Sequence, residues 1–172
     1  MKTIALLTFL ILTAGAAATA QSQAVVREVT GKVEVMPAGQ GWAPARAGMT
    51  VALGTTISTG FNSTAVLDIG QATLQVRPLT RLRLDELIER EGTVRTDLFL
   101  TVGKVRAEVK TSAGLTQDFK LRSPVSTAAV RGTGFEYAGY ELYVYDGNVG
   151  YSSSTGQERT YSPGEGGSTS GY

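Results

Sequence analysis

Hydrophobic and polar residues alternate with a period of two through most of the chain after residue 24. In one segment Val105, Ala107 and Val109 alternate with charged neighbours, and in another Phe119 and Leu121 do the same. Successive side chains of a β-strand point to opposite faces, so each segment presents one apolar face and one charged face. The pattern predicts strands that pack through one face.

Breaks rich in glycine and asparagine separate these segments at short intervals, as at 60–62, Gly132 and 146–148. Short strands divided by turn residues predict an all-β fold, a single domain built as a solenoid-like roll or a sandwich. Residues 84–90 (LDELIER) are the exception, because they could form a helical turn or two that ends at Gly92.

A weak internal echo places glycine two residues before a strand valine at 31–33, 103–105 and 147–149. One interpretation is a solenoid coil that repeats, and the other is that glycine opens strands after tight turns in any β protein. The intervals between the three segments are unequal, which favours the second interpretation.

Residues 1–20 have the features of a secretory signal peptide. Lys2 lies in a short basic region, an apolar run follows at 4–12, and Ala18-Thr19-Ala20 resembles a cleavage site. We expect a signal helix here, removed before Gln21, and export to the periplasm or, alternatively, to the extracellular space. The apolar run is short for a membrane span, so we expect no stable membrane insertion after cleavage.

The predicted domain occupies 21–151, and residues 152–172 form a tail rich in serine, threonine and glycine. Thr160 and Tyr161 could form a final hairpin strand across the turn at 153–156. Beyond Pro163 the tail has little to bury, so the composition predicts disorder.

The composition then narrows the chemistry, because the chain contains no cysteine and no histidine. A serine or cysteine nucleophile would lack its usual histidine base, and a zinc site would lack its usual ligands. Disulfides are impossible, so the fold must depend on its hydrophobic core. We therefore expect no cofactor and no metal.

The charge is nearly balanced, with 16 basic and 15 acidic side chains. Such a balance does not favour binding to nucleic acid. Basic residues on the predicted polar faces could form a cationic stripe for an anionic polysaccharide, although cross-strand pairing with Glu108, Asp97 or Asp118 is the more ordinary interpretation. These basic residues are Arg77, Arg81, Arg83, Lys104, Arg106, Lys120 and Arg122.

One acidic cluster is a candidate for catalysis. Asp85, Glu86, Glu89 and Glu91 could supply the two carboxylates of a glycosidase, but they fall in one polar segment and do not face each other across a cleft. We predict no catalytic residues and no enzyme activity.

Tyrosine is distributed unevenly, since all seven tyrosines lie in 137–172. If Leu142 and Val144 point inward, Tyr143 and Tyr145 lie side by side on the outer face. Exposed aromatic rings could contact an apolar patch of a protein or the rings of a sugar, although tyrosine also suits half-buried strands. The predicted binding residues are Tyr137, Tyr140, Tyr143, Tyr145 and Tyr151.

Several ordered segments together resemble the FecR protein domain family. Residues 51–69 contain Ile57-Ser58-Thr59-Gly60 and Asn62-Ser63, residues 98–109 contain Gly103-Lys104-Val105, and residues 119–135 contain Arg131-Gly132-Thr133. A closing strand pair at 144–149 also fits. The resemblance covers 27–151 and depends on the order and spacing of the segments.

The resemblance implies an extracytoplasmic all-β domain, solenoid-like in members of known fold. Full-length members carry signals from an outer-membrane receptor to a cytoplasmic sigma factor. The sequence shows neither a membrane helix beyond the signal nor a cytoplasmic helical segment, so we expect the sensing module alone. Arg131 could bind a carboxylate or a partner, but the favoured interpretation is that Arg131, Gly132 and Thr133 are structural.

The sequence therefore predicts an exported, non-catalytic sensing or protein-interaction module, monomeric or weakly associating. Its partner would be an envelope or extracellular protein. The alternatives are a protein that binds cell wall or cell-surface glycan, and a scaffold that assembles through β edges.

Overall fold

The computed structural model describes residues 23–112 and 114–169, and that part of the chain is all-β. It contains no helix long and apolar enough to cross a membrane. The predicted signal helix and Tyr172 lie outside the described residues. The strands are β1 (Ala24–Thr30), β2 (Val33–Met36), β3 (Ala43–Pro44), β4 (Thr50–Val51), β5 (Thr56–Thr59), β6 (Thr64–Ile69), β7 (Ala72–Val76), β8 (Arg81–Arg90), β9 (Thr93–Val102), β10 (Val105–Val109), β11 (Thr116–Arg122), β12 (Ser126–Val130), β13 (Gly134–Tyr137), β14 (Glu141–Asp146), β15 (Val149–Ser153), β16 (Glu158–Tyr161) and β17 (Gly166–Ser168).

The strands form two sheets that share one hydrophobic core. The first sheet has the order β4-β1-β6-β7-β10-β13-β14-β17, and the second has the order β3-β2-β5-β8-β9-β11-β12-β15-β16. Neighbouring strands are antiparallel except β9 and β11, which are parallel. Apart from the first few strands, the order in each sheet follows the order in the chain, so both sheets extend together along one axis. The fold is therefore a sandwich with solenoid-like progression.

The predicted alternation determines which side chains enter the core. In β10, for example, Val105, Ala107 and Val109 are buried between more exposed Arg106 and Glu108. The same alternation runs through β6, β7, β11 and β12. Each sheet thus has an apolar inner face and a polar outer face, as expected for a sandwich.

The helical interpretation of residues 84–90 is wrong, because these residues lie in the long strand β8. The strand pairs with β9 from Arg81 to Arg90, and the register shifts between Leu84 and Glu86. This bulge interrupts the alternation of apolar residues, which is why the local sequence resembles a helical pattern.

The glycines of the internal echo occupy connections between the two sheets. Gly31, Gly103 and Gly147 all have positive φ, at 73°, 96° and 71°. A Cβ on each glycine would collide with a buried hydroxyl-bearing residue, namely Ser63, Thr80 or Thr133. The echo therefore reflects a recurring tight connection and not a repeated coil of constant length.

The tail pairs with both sheets. Thr160 and Tyr161 lie in β16, which pairs with β15. Beyond Pro163, where the composition predicts disorder, Gly166–Ser168 instead forms β17, which pairs with β14. Tyr161 is only 9% exposed and packs on Tyr151, with ring centroids 6.1 Å apart. Composition could not reveal this order, because it comes from pairing with strands already in the sheets.

Candidate interaction surfaces

The five predicted binding tyrosines divide into a buried group and an exposed group. Tyr137 and Tyr151 are both 0% exposed, so their prediction as surface binding residues is wrong. Tyr137 lies two residues after buried Phe135, and Tyr151 lies two residues after buried Val149, so each tyrosine points to the same inner face of its strand. Burial raises the pKa of both tyrosines. The same alternation that identified the strands was the available signal for this burial.

Tyr143 and Tyr145 lie on the outer face of β14, 44% and 42% exposed, while Leu142 and Val144 are buried. Their ring centroids are 5.0 Å apart, and the rings meet edge to face at 65°. The predicted side-by-side placement is confirmed, and the two rings form an exposed aromatic pair.

Arg106 on β10, two strands away from β14, extends this pair. Its guanidinium carbon lies 4.4 Å from the centroid of the Tyr145 ring, within range of a cation–π contact. On the flanking strands, Gly134 of β13 lies beside Tyr145 and Gly166 of β17 lies opposite Tyr143, while Glu136 of β13 is the other cross-strand neighbour of Tyr143. We call Arg106, Tyr143 and Tyr145 the tyrosine face.

Tyr140 belongs to a different surface. It is 58% exposed and lines an apolar groove of about 570 Å³ at one edge of the sandwich, together with Leu79, Val102 and Val125, which are 50%, 57% and 41% exposed. Leu79 has φ 56°, a strained conformation for a branched side chain. We call this concavity the edge groove.

Sequence reasoning missed the edge groove, because it is assembled from connections far apart in the chain. The available signal was an apolar residue directly after proline in a break, as in Pro78-Leu79 and Pro124-Val125. Such residues have no neighbouring strand to cover them. Only the fold brings the two connections together, at the end of the sandwich where these strands turn.

The segment Arg131-Gly132-Thr133 forms the connection between β12 and β13. Gly132 has φ 76°, and Thr133 is buried at 3% exposure, so both residues have structural roles. Arg131, by contrast, is exposed and forms no ion pair with any described residue. No ion pair among the described residues therefore holds Arg131 at this corner.

The predicted cationic stripe is largely neutralised by cross-strand ion pairs. Arg122 Nε lies 2.7 Å from Asp97 Oδ1, and its Nη2 lies 2.9 Å from Asp85 Oδ2. Lys104 Nζ lies 3.2 Å from Glu136 Oε1, and this hydrogen bond raises the pKa of Lys104. The pairs of Arg122 lie on one sheet and the pair of Lys104 with Glu136 lies on the other, so these basic residues do not form one continuous stripe.

The acidic cluster is arranged for ion pairing. Asp85 accepts hydrogen bonds from Arg83 and Arg122, while Glu86 lies 3.8 Å from Arg95. Within 23–112 and 114–169, no group of three or more carboxylates is placed to hold a metal ion.

Comparison with known proteins gives the family and the fold. The family model described as FecR protein matches residues 55–150. Two crystal structures of a proposed anti-sigma factor from Parabacteroides distasonis ATCC 8503, at 2.50 and 1.65 Å resolution, are similar in fold, with TM-scores of 0.54 and 0.53 and 15% identity. The similarity covers 64% of this chain and 52% of each solved chain, so the chain spans about half their length. No curated protein matches significantly.

Proposed function

The chain belongs to the FecR protein family, and from this premise we propose that it is an extracytoplasmic, non-catalytic module that binds another protein through its tyrosine face. The periplasm is the compartment that the family favours. The likeness to a proposed anti-sigma factor is consistent with a part in signal sensing.

The observation that carries the proposal is the exposed pair Tyr143 and Tyr145 with Arg106 against it. Monomeric β-sheets usually present polar residues outward, and tyrosine with arginine is the combination enriched in protein interfaces. The rigid sheet beneath the rings also lowers the entropic cost of binding, because the rings are already held in place.

The ring geometry favours protein over glycan as the ligand. A sugar ring stacks on an open, flat aromatic face, whereas Tyr143 and Tyr145 meet at 65° and the guanidinium of Arg106 lies over Tyr145. A protein side chain can fill the angle between the rings. Glycan binding therefore remains the alternative outcome of the test.

The sheet edges argue against assembly as a scaffold. The outermost strands β3 and β4 have two residues each, β3 contains Pro44, and β17 has three residues. The fourth edge strand, β16, contains Glu158 and Arg159. Short strands, proline and charge all hinder the addition of a further strand.

The test places a photo-crosslinking amino acid at Gln75, the cross-strand neighbour of Arg106. The mature protein is expressed in its native compartment, irradiated, and its adducts are identified by mass spectrometry. We expect one defined protein adduct, lost in the double variant Tyr143→Ser/Tyr145→Ser. The matched control is Phe61→Ser, which removes an aromatic residue that is 81% exposed in another connection.

The proposal fails if the double variant folds normally and still gives the same adduct. It also fails if no protein adduct forms and the protein is instead retained on purified cell-wall polysaccharide and released by free sugar. Equilibrium unfolding in urea, measured for each variant, separates loss of binding from loss of folding.

A further inference from the structure

A second concavity lies on the outer face of the other sheet, between β11, β12 and the connection that leads into β15. Its volume is about 670 Å³. Ala129 lines it and pairs across the sheet with Lys120 on one side and Gly150 on the other. Alanine and glycine project little from the sheet, so the surface is depressed between taller neighbours.

Cations dominate the walls of this concavity. Arg95, Lys120 and Arg131 line it with a single carboxylate, Asp118. Asp118 is shared, since Arg95 Nε lies 3.1 Å and Lys120 Nζ lies 3.8 Å from its oxygens. Glu86 contacts Arg95 at 3.8 Å from β8. The local balance therefore still leaves positive charge around the depression. We call it the basic concavity.

Arg131 is the cation that no described residue neutralises. Its backbone is nevertheless fixed, because Val130 before it is buried and Thr133 accepts a hydrogen bond from Val109 N–H at 2.8 Å. The left-handed turn at Gly132 fixes the direction of the chain between them. A guanidinium on such an anchored backbone is well suited to bidentate binding of a carboxylate.

Neutral groups complete the lining. Asn148, Thr93 and Thr116 border the basic concavity and offer an amide and two hydroxyl groups. Such groups can bond to the main chain of a peptide whose carboxylate is bound by Arg131.

We propose that the basic concavity binds an acidic peptide segment of a protein partner, with Arg131 taking an aspartate or glutamate carboxylate. The inference rests on the proposed function only in that the ligand is a protein. The tyrosine face and the basic concavity lie on the outer faces of different sheets. The module could therefore hold two protein segments at once.

The charge pattern favours a short acidic segment over an acidic polysaccharide. A long polyanion needs a continuous row of free cations, but beyond the concavity Arg122 and Arg83 are paired with Asp85 and Asp97. Of the two arginines that line the concavity, only Arg131 has no ion-pair partner among the described residues. That arrangement matches one or two carboxylates.

The test is a nuclear magnetic resonance titration of the ¹⁵N-labelled mature protein with hexaglutamate, with hexaglutamine as the uncharged probe. We expect amide shifts centred on 129–133 and Asn148, and binding that weakens as salt is raised. Arg131→Gln should weaken the affinity about tenfold, because a charge-assisted hydrogen-bond pair is lost. Arg131→Lys should restore part of it, since the charge remains but the planar fork does not.

The matched control is Arg46→Gln, which removes another exposed arginine with no ion pair among the described residues. Equal weakening by Arg46→Gln, or no weakening by Arg131→Gln, would overturn the inference. Tighter binding of oligogalacturonate than of hexaglutamate would overturn it in favour of a glycan.

The Tyr143→Ser/Tyr145→Ser variant separates this inference from the proposed function. It should bind hexaglutamate as the unsubstituted protein does, because the two surfaces share no residue. If the photo-crosslink at Gln75 fails to form while hexaglutamate still binds, the proposed function of the tyrosine face is wrong and the inference about the basic concavity stands. If the photo-crosslink forms while hexaglutamate does not bind, only the inference about the basic concavity is wrong.

Discussion

Tyr137 shows how a single buried hydroxyl is accommodated in this core. Its Oη donates a hydrogen bond to the carbonyl of Ser126 at 2.9 Å and lies 2.8 Å from the Ser126 hydroxyl. Its ring packs edge to face on Tyr151, with centroids 6.5 Å apart. The burial that creates this cluster raises the pKa of Tyr137, while its hydrogen bonds with serine oppose the rise.

This pKa shift predicts a loss of stability in alkali. Because the folded protein holds the phenol proton more tightly than the unfolded chain, the stabilisation is complete below the ordinary tyrosine pKa of 10.0 and is lost as pH rises above it. Tyr137→Phe should lower the unfolding free energy by about 1 kcal/mol at neutral pH and reduce its decline above about pH 10. Urea unfolding across this range measures both effects. A variant with the same alkaline decline as the unsubstituted protein would contradict the explanation.

At the scale of the structural element, the connections between the sheets are more constrained than the strands they join. Gly103 follows β9 with φ 96°, and the next amide, Lys104 N–H, donates a hydrogen bond to Thr80 Oγ1 at 3.0 Å. Thr80 Oγ1 in turn donates to the Lys104 carbonyl at 3.1 Å. Two connections that are distant in the sequence are thus hydrogen-bonded to each other at one edge.

Gly103→Ala should therefore be strongly destabilising, by about 3 kcal/mol or more. Its Cβ would lie 2.5 Å from Thr80 Cα and 2.7 Å from the Leu79 carbonyl oxygen, and backbone atoms cannot move aside cheaply. The matched control is Gly39→Ala, which has φ 72° but no atom within 4 Å of the added Cβ, and should cost about 1 kcal/mol. Chemical unfolding compares the two. If Gly103→Ala and Gly39→Ala lose the same unfolding free energy, backbone strain alone accounts for the requirement for glycine at position 103.

At the scale of the whole molecule, the two sheets are joined by one continuous core. Phe119 from β11 and Phe135 from β13 meet edge to face across it, with centroids 6.3 Å apart, and both are almost fully buried. The single tryptophan, Trp42, lies at the other end of the sandwich between β2 and β3. A shared core predicts that both ends unfold together, whereas independent coils would unfold in parts.

Phe135→Ala should lower the unfolding free energy by about 3–5 kcal/mol, because it removes a buried ring and leaves a cavity. The transition followed by Trp42 fluorescence should shift as much as the transition followed by circular dichroism. Phe61→Ala, at a ring 81% exposed, should change stability by no more than about 0.5 kcal/mol. Separate fluorescence and circular dichroism transitions in Phe135→Ala would show that the ends are not one cooperative unit.

The sequence by itself determined the strands and most of their inner faces, because the alternation of side chains is a local property of extended chain. It also determined the positions of the connections, since glycines such as Gly31, Gly103 and Gly147 adopt backbone conformations that other residues resist. The exposed placement of Tyr143 and Tyr145 followed from the same alternation. Applied to Phe135 and Val149, that rule would also have placed Tyr137 and Tyr151 in the core.

Only the tertiary structure decided which distant residues meet. Pairing with β9 made 84–90 a bulged strand, and pairing with β14 ordered a tail of low hydrophobicity. The edge groove unites separate connections, and Asp118 pairs with both Arg95 and Lys120, while Arg131 has no ion-pair partner among the described residues. Strand pairing and charge pairing depend on contacts between residues far apart in the chain, and a local pattern contains no information about which of these contacts form.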